Sequence, residues 1–432
     1  NTYNTAVGYE TGTAITTGVE NTIIGSLAGD ALTDADYNAA VGYRALSGDT
    51  LGSRSTAIGY ASLAAQNFTT ATDTYNTAVG FHAGNVVSTG VQNTIIGGLA
   101  GDALTVGANV VALGYKALST DTKGFGSVAI GNQALENQNF TTNTDSHNTA
   151  VGYFAGNDVT TGTDNTLIGS LSGDAITDGN TNTAVGSYSL TTNQRGDRNT
   201  AIGHESLKTM NPSGDVDTYN TAVGYQSGKA VTTGTLNTYV GASAGAASQT
   251  VSNNTAVGAF AFDAGTGADN TAVGSGALGG ASNSAASNVA IGKDAGNAIT
   301  SADDNTIVGT DAMITCTTGH SNTAIGKRAG RLLTTGDQNV TIGKEAGKSL
   351  TEGDDNIAIG HDAADNLTTG HQNIAIGVDS SLSAASADNQ TVIGQNVTCV
   401  GNDNFTFGNG STDSNIAFGA TSITAPSDQR YK

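Results

Sequence analysis

The sequence predicts an all-β fold, a parallel β-solenoid (β-roll) of about 25 coils with a 17-residue period. Three observations carry that expectation. A pentapeptide of the type Asn-Thr-Ala-Val-Gly recurs along the chain, its glycine falling at Gly8, Gly25, Gly42 and Gly59 and on through Gly394, Gly408 and Gly419. The spacing runs 17, 17, 17 and 21 residues three times over, so "NTAVGY" at 4–9 returns as "NTAVGF" at 76–81 and unchanged at 148–153 and 220–225, a superperiod of 72 residues within 1–224. No stretch has sustained helical periodicity, and Thr, Val and Ile at the recurring positions favour strands. A unit of this length is too short for a helix pair or a propeller blade and long enough for two short strands and two turns.

Each coil is numbered from its Asn. Alternation places positions 2 and 4 on one face and positions 1, 3 and 5 on the other. Position 2 is mostly Thr, Val or Ile, position 4 is Val, Ile or Leu, and position 3 is usually Ala. Position 5 is Gly, which suits a bend or a close backbone approach. Position 12 is aliphatic in Leu32, Val87, Ile176, Val231, Leu333 and Leu367. A "TTG" turn follows in many coils, with Gly suited to positive φ. Position 1 is expected to form an Asn ladder, each amide bonding to the next, as stacked identical side chains do in cross-β structures. Thr at position 2 is read as facing inward, which leaves an ice-binding Thr array a minor reading.

A coil of this kind buries few side chains, so a partner is expected. Three copies around one axis would bury the Ala/Gly face. The 21-residue coils place their four extra residues at one point, in 64–76, 136–148 and 208–220. Insertions into a solenoid map to loops on one side, here recurring about every 19 Å. Asn67, Phe68, Tyr75, Asn139 and Phe140 lie in these loops and are the candidate binding residues. Position 6 carries Tyr9, Tyr43, Tyr60, Phe81, Tyr115, Tyr153 and Tyr225; such a row stacks on sugars if exposed and caps the coil edge if buried, and the second reading is favoured.

The chain has 432 residues, 12% of them charged, and a net charge of −21. That balance disfavours nucleic acid and anionic membrane surfaces as partners, and no apolar run is long enough to insert in a membrane as a helix. Residue 1 is Asn, inside a repeat, so more chain is expected before it. Cys316 stands at position 12, where other coils have aliphatics, and Cys399 lies five coils further on; both read as free buried thiols.

Chemical motifs are few. "GSGALG" at 274–279 lacks a following helix, and "GKEAGKS" at 343–349 is one residue short of a phosphate loop. Acidic turns at 34–37, 177–182, 301–305 and 352–356 contain Ca²⁺-ligand residue types, but turn formation explains them. The six His are not paired at metal-ligand spacing, so no metal and no cofactor is expected, and no catalytic constellation stands out.

Two resemblances bear on function. "STAIG" (55–59), "SVAIG" (127–131) and "NVAIG" (288–292) resemble the head repeats of YadA-like trimeric autotransporter adhesins, over residues 1–419. The 17-residue unit is longer than the usual head repeat. The resemblance implies a left-handed, homotrimeric roll. The ending "SDQRYK", Ser427 to Lys432, is similar to the opening of the self-cleaving intramolecular chaperone of phage tail fibres and tailspikes. It implies Ser427 as nucleophile and Lys432 as its activating partner, for self-cleavage alone, with Asp428 and Arg430 at the other motif positions. Residues 420–432 are then a linker and the start of that chaperone.

Together these features lead to an expected homotrimeric phage or viral fibre, located on the virion, whose partner is a host cell-surface receptor or glycan. A bacterial trimeric surface adhesin and a tailspike-type polysaccharide-degrading enzyme are the alternatives.

Overall fold

The computed structural model describes residues 2–280 and 283–420. They fall into two units, Asn1–Asn220 and Thr221–Lys432, each described by itself.

The first unit is a parallel β-solenoid. Its three-residue coil strands run from Thr5–Val7 to Thr200–Ile202. Successive strands pair in parallel, one coil apart, as in Thr5 with Thr22, Ala6 with Ile23 and Val7 with Ile24. The second unit repeats the arrangement from Thr221–Val223 to Asn404–Gly408. The described residues contain no helix. The last repeat departs from the pattern: Ser414–Ala417 pairs antiparallel with Asn404–Gly408. Eleven residues are too few to circle the coil, so the chain folds back as a hairpin, and the two units hold about 24 parallel turns between them.

Burial reverses the expected direction of the strand faces. Position 3 points inward, with Ile23, Ala40, Ala57, Ala78, Leu167, Tyr239 and Ile307 all fully buried. Positions 2 and 4 point outward, half-buried or exposed. The Ala face is therefore the interior of each coil and is not available to a partner, and Thr at position 2 faces out. Alternation alone defines two faces; closure of the coil on the smaller side chains decides which is inside.

Gly at position 5 lets the coils stack closely. Gly42 has φ +137°, and a Cβ on it would lie 2.3 Å from the carbonyl oxygen of Gly59 in the next coil. Position 1 forms the Asn ladder. Asn21 Oδ1 accepts the Asn38 N–H at 2.9 Å, and Asn21 Nδ2 donates to the Ala35 carbonyl at 2.7 Å. Each Asn thus ties its coil to the next and closes its own coil. The ladder recurs in the second unit at Asn305, Asn322, Asn339 and Asn356.

Two coils in each 72-residue period have a different interior. The coils containing Leu32 and Val87 have Gly29 and Gly84 at position 9. In the two coils between them, position 12 is Asp49 and Gln66, both buried, while Leu46 and Leu63 fill position 9. Leu118 with Asp121 and Leu135 with Gln138 repeat the exchange one period later. The Leu supplies apolar volume where the polar side chain takes the aliphatic place.

Candidate functional site

The outward strand face offers a continuous surface in each unit. In the first, position 4 presents Val7, Ile24, Ile58, Leu113, Ile168 and Ile202 as exposed aliphatics, and half-buried Val or Ile in the coils between. In the second, Val257, Ile291, Ile325 and Ile393 are exposed in the same column. Scattered exposed aliphatics are ordinary, but an unbroken row is the kind of patch that marks an interaction surface. Thr at position 2 runs beside it, and rigid parallel pairing holds both columns at the strand spacing of about 4.8 Å.

Past the glycine bend, position 6 is exposed rather than buried, contrary to expectation. Tyr9, Tyr43, Tyr60, Phe81, Tyr115, Tyr153 and Tyr225 are all exposed. Tyr43, Tyr60 and Phe81 occupy three consecutive coils and stack, with ring centroids 5.2 and 5.3 Å apart.

The 21-residue coils do not display the residues expected of them. Phe68 and Phe140 are only 7% and 6% exposed. Buried Asp49 draws the chain inward: its Oδ1 accepts the N–H groups of Phe68 at 3.0 Å and Gly52 at 3.1 Å, and its Oδ2 accepts Gln66 Nε2 at 2.6 Å. Asp121 does the same with Phe140, Gly124 and Gln138. Burial raises the Asp121 carboxyl above its ordinary value, against the lowering effect of these bonds. The extra length also makes small second sheets, in which Gly52–Ser53 pairs with Thr72–Asp73 and Gly124–Phe125 with Thr144–Asp145. What stays outside is Asn67, Tyr75, half-buried Asn139 and the tips at residues 69–71 and 141–143. Tyr75 and Tyr37 flank Arg54, whose guanidinium carbon lies 5.8 and 4.9 Å from their ring centroids and whose Nε is 2.9 Å from Asp73. Sequence reasoning missed the buried Asp–Gln pairs; their signal was polar residues interrupting an aliphatic column.

The acidic turns form ladders. Asp36 accepts the Val19 N–H at 2.7 Å, Asp303 the Ala286 N–H at 2.7 Å and Asp354 the Asp337 N–H at 2.8 Å. His320 Nδ1 and His371 Nδ1 occupy the same column, accepting the N–H groups of Asp303 and Asp354 at 3.0 Å each. His361, Asp362 and Asp379 also bring ligand-type atoms within 4.8 Å of one another. The sequence reading missed that group, because the Asp residues are separated by one coil and not by a local motif. Lys348 Nζ is 2.7 Å from Asp362 and Lys344 Nζ is 3.4 Å from His361 Nε2, so lysines already supply positive charge there.

Both cysteines are buried and free, and burial pushes the Cys316 thiol up to about 11. Ser427, Lys432 and the rest of 421–432 lie outside the described residues. No protein-family model matches the chain, and no curated protein matches it.

Proposed function

We propose that this chain forms the shaft of a homotrimeric phage or viral fibre that attaches to a host cell surface. The observation that carries the reading is the unbroken outward row of Val, Ile and Leu at position 4. A solenoid whose small interior holds mainly Ala and single aliphatics gains apolar burial by packing this row against two copies of itself around an axis. The row replaces the Ala face expected from the sequence as the surface between copies. Low charge density with a net charge of −21 disfavours nucleic acid as the partner. The resemblance of "SDQRYK" to the start of a fibre chaperone supports the viral reading, because nearly identical coils can pair out of register at little cost and a chaperone of that kind would set the register.

The test is the molar mass of the intact protein in solution by light scattering, for the wild type and for Ile168→Asp/Ile202→Asp. Three chains in the wild type, and loss of that mass in the variant, support the trimer. A single-chain mass in the wild type overturns it. Attachment is tested with fluorescently labelled protein on bacterial cells; retention on none of a broad panel of strains counts against the fibre reading. The bacterial adhesin becomes the better reading if the intact gene continues into a membrane-anchoring β-barrel.

A further inference from the structure

One cavity in the first unit spans three coils. It has a volume of about 400 Å³ and is lined by Arg44, Tyr60, Ala61, Ala64, His82 and Asn85 among others. Three successive coils contribute. The middle one contributes Tyr60 with the small Ala61 and Ala64, and the coils on either side carry Arg44 and the pair His82 and Asn85. The His82 ring stacks on Tyr60 at 5.4 Å and on Phe81 at 4.3 Å. Among the described residues, the Arg44 guanidinium has no ion pair within 4 Å, though the Asp30 carboxylate of the preceding coil feels its charge, and neither it nor the Asn85 side-chain amide has a hydrogen bond.

The next 72-residue period shows what these positions hold when filled. Lys116 stands in place of Arg44, Gln133 of Ala61, Glu136 of Ala64, and Asn157 of Asn85. The Glu136 carboxylate accepts Lys116 Nζ at 3.1 Å, Asn157 Nδ2 at 3.2 Å and the Gln133 amide. Partial burial raises the Glu136 carboxyl, and these three bonds overcome it, leaving the group below its ordinary value. One period later the gap is closed again, with Glu205 and Lys208 in the places of Ala61 and Ala64 and paired at 2.6 Å. The first period keeps the cation and the amide but has Ala64 where the second has the Glu136 carboxylate.

We propose that this cavity binds the carboxylate of an acidic saccharide, a uronic or sialic acid residue, in the place that Glu136 takes one period on. Arg44 offers the planar fork that suits a carboxylate, and Asn85 donates beside it. Ala61 and Ala64 leave an apolar floor for the sugar ring, with Tyr60 and His82 as its wall. A few convergent polar groups over an apolar floor are typical of small-ligand sites. The choice of a saccharide rests on the cell-attachment reading; the demand for a carboxylate does not.

The experiment is isothermal titration of the intact protein with trigalacturonic acid, its methyl ester, and a Glu-rich peptide. Saturable binding of the acid, at least about tenfold weaker for the ester, is the expected result. Arg44→Ala and Ala64→Glu each weaken it by about tenfold to a hundredfold, as loss of a charge-assisted hydrogen bond requires. Ala64→Glu copies a side chain the fold already accepts one period later, so an unchanged melting temperature accompanies the loss. Lys116→Ala leaves binding unchanged. Equal binding of acid and ester, unaltered affinity in Ala64→Glu, or capture of the peptide but not the sugar overturns the proposal. Cell attachment is scored separately. Cells bound by wild type without uronate binding overturn this site and leave attachment standing; uronate bound without cells supports the site and counts against attachment.

Discussion

Asp121 Oδ2 accepts the side-chain amide of Gln138 at 2.8 Å, from one coil to the next, and both side chains are fully buried. The same Gln then accepts the Asn148 amide at 2.9 Å, so a buried carboxylate is linked through Gln to the Asn ladder. One period later the pair is Asn193 and Met210: the charge and its donor are lost together. Gln138→Met alone is expected to destabilise the protein by about 2–3 kcal/mol, because it removes the only side-chain donor to a buried carboxylate that keeps its two backbone N–H bonds. Asp121→Asn/Gln138→Met reproduces the natural third-period pair and is expected to cost less than that single change. Urea denaturation of the three proteins measures the coupling.

The close stacking at position 5 makes two glycines, one position apart in different coils, respond differently. Gly42→Ala puts a Cβ 2.3 Å from the Gly59 oxygen at a φ of +137° and is expected to cost about 3 kcal/mol or more. Gly98→Ala, whose Cβ meets only Tyr115 at 3.7 Å, is expected to be neutral or to stabilise by up to about 1 kcal/mol. Thermal melts of both variants decide it.

Acidity should stabilise the first unit through Asp174. Burial pushes its carboxyl up from 3.8 to about 6, and its Oδ1 has no hydrogen-bond partner. The folded value lies above the ordinary one, so the fold favours the protonated form. Its contribution is fully present below pH 4 and is lost as pH rises through about 6. Asp174→Asn is expected to be more stable than the wild type at pH 7, by about 1 kcal/mol after solvent screening, with little difference at pH 4. Denaturation midpoints across that range measure the effect.

The thiols report on packing. Cys316 and Cys399 are buried, and the Cys316 thiol is held protonated by burial at about 11. Ellman's reagent at pH 8 is expected to leave Cys316 unmodified in the folded protein and to titrate both cysteines after denaturation. Rapid modification of Cys316 in the folded state would contradict the interior placement of position 12.

The sequence by itself determined the coil: its length, its Asn ladder, its glycine bend and the parallel stacking of identical strands. These follow from local chemistry repeated at a fixed interval, since each position meets its own equivalent one coil away. Burial of the Cys316 thiol was legible for the same reason, from the aliphatics that hold position 12 elsewhere. Which strand face lies inside was decided only by the tertiary structure, because a two-residue alternation is symmetric until the coil closes. Closure placed Ala40 and Ile23 within and Ile24 and Ile168 without. The same closure drew Phe68 inward through Asp49 although its segment is an insertion. It also left Arg44 beside Ala64 where the next period has Lys116 bonded to Glu136. That last difference is written in the sequence, but it gains meaning only when coils one period apart are compared as places in space, where a missing side chain becomes a cavity.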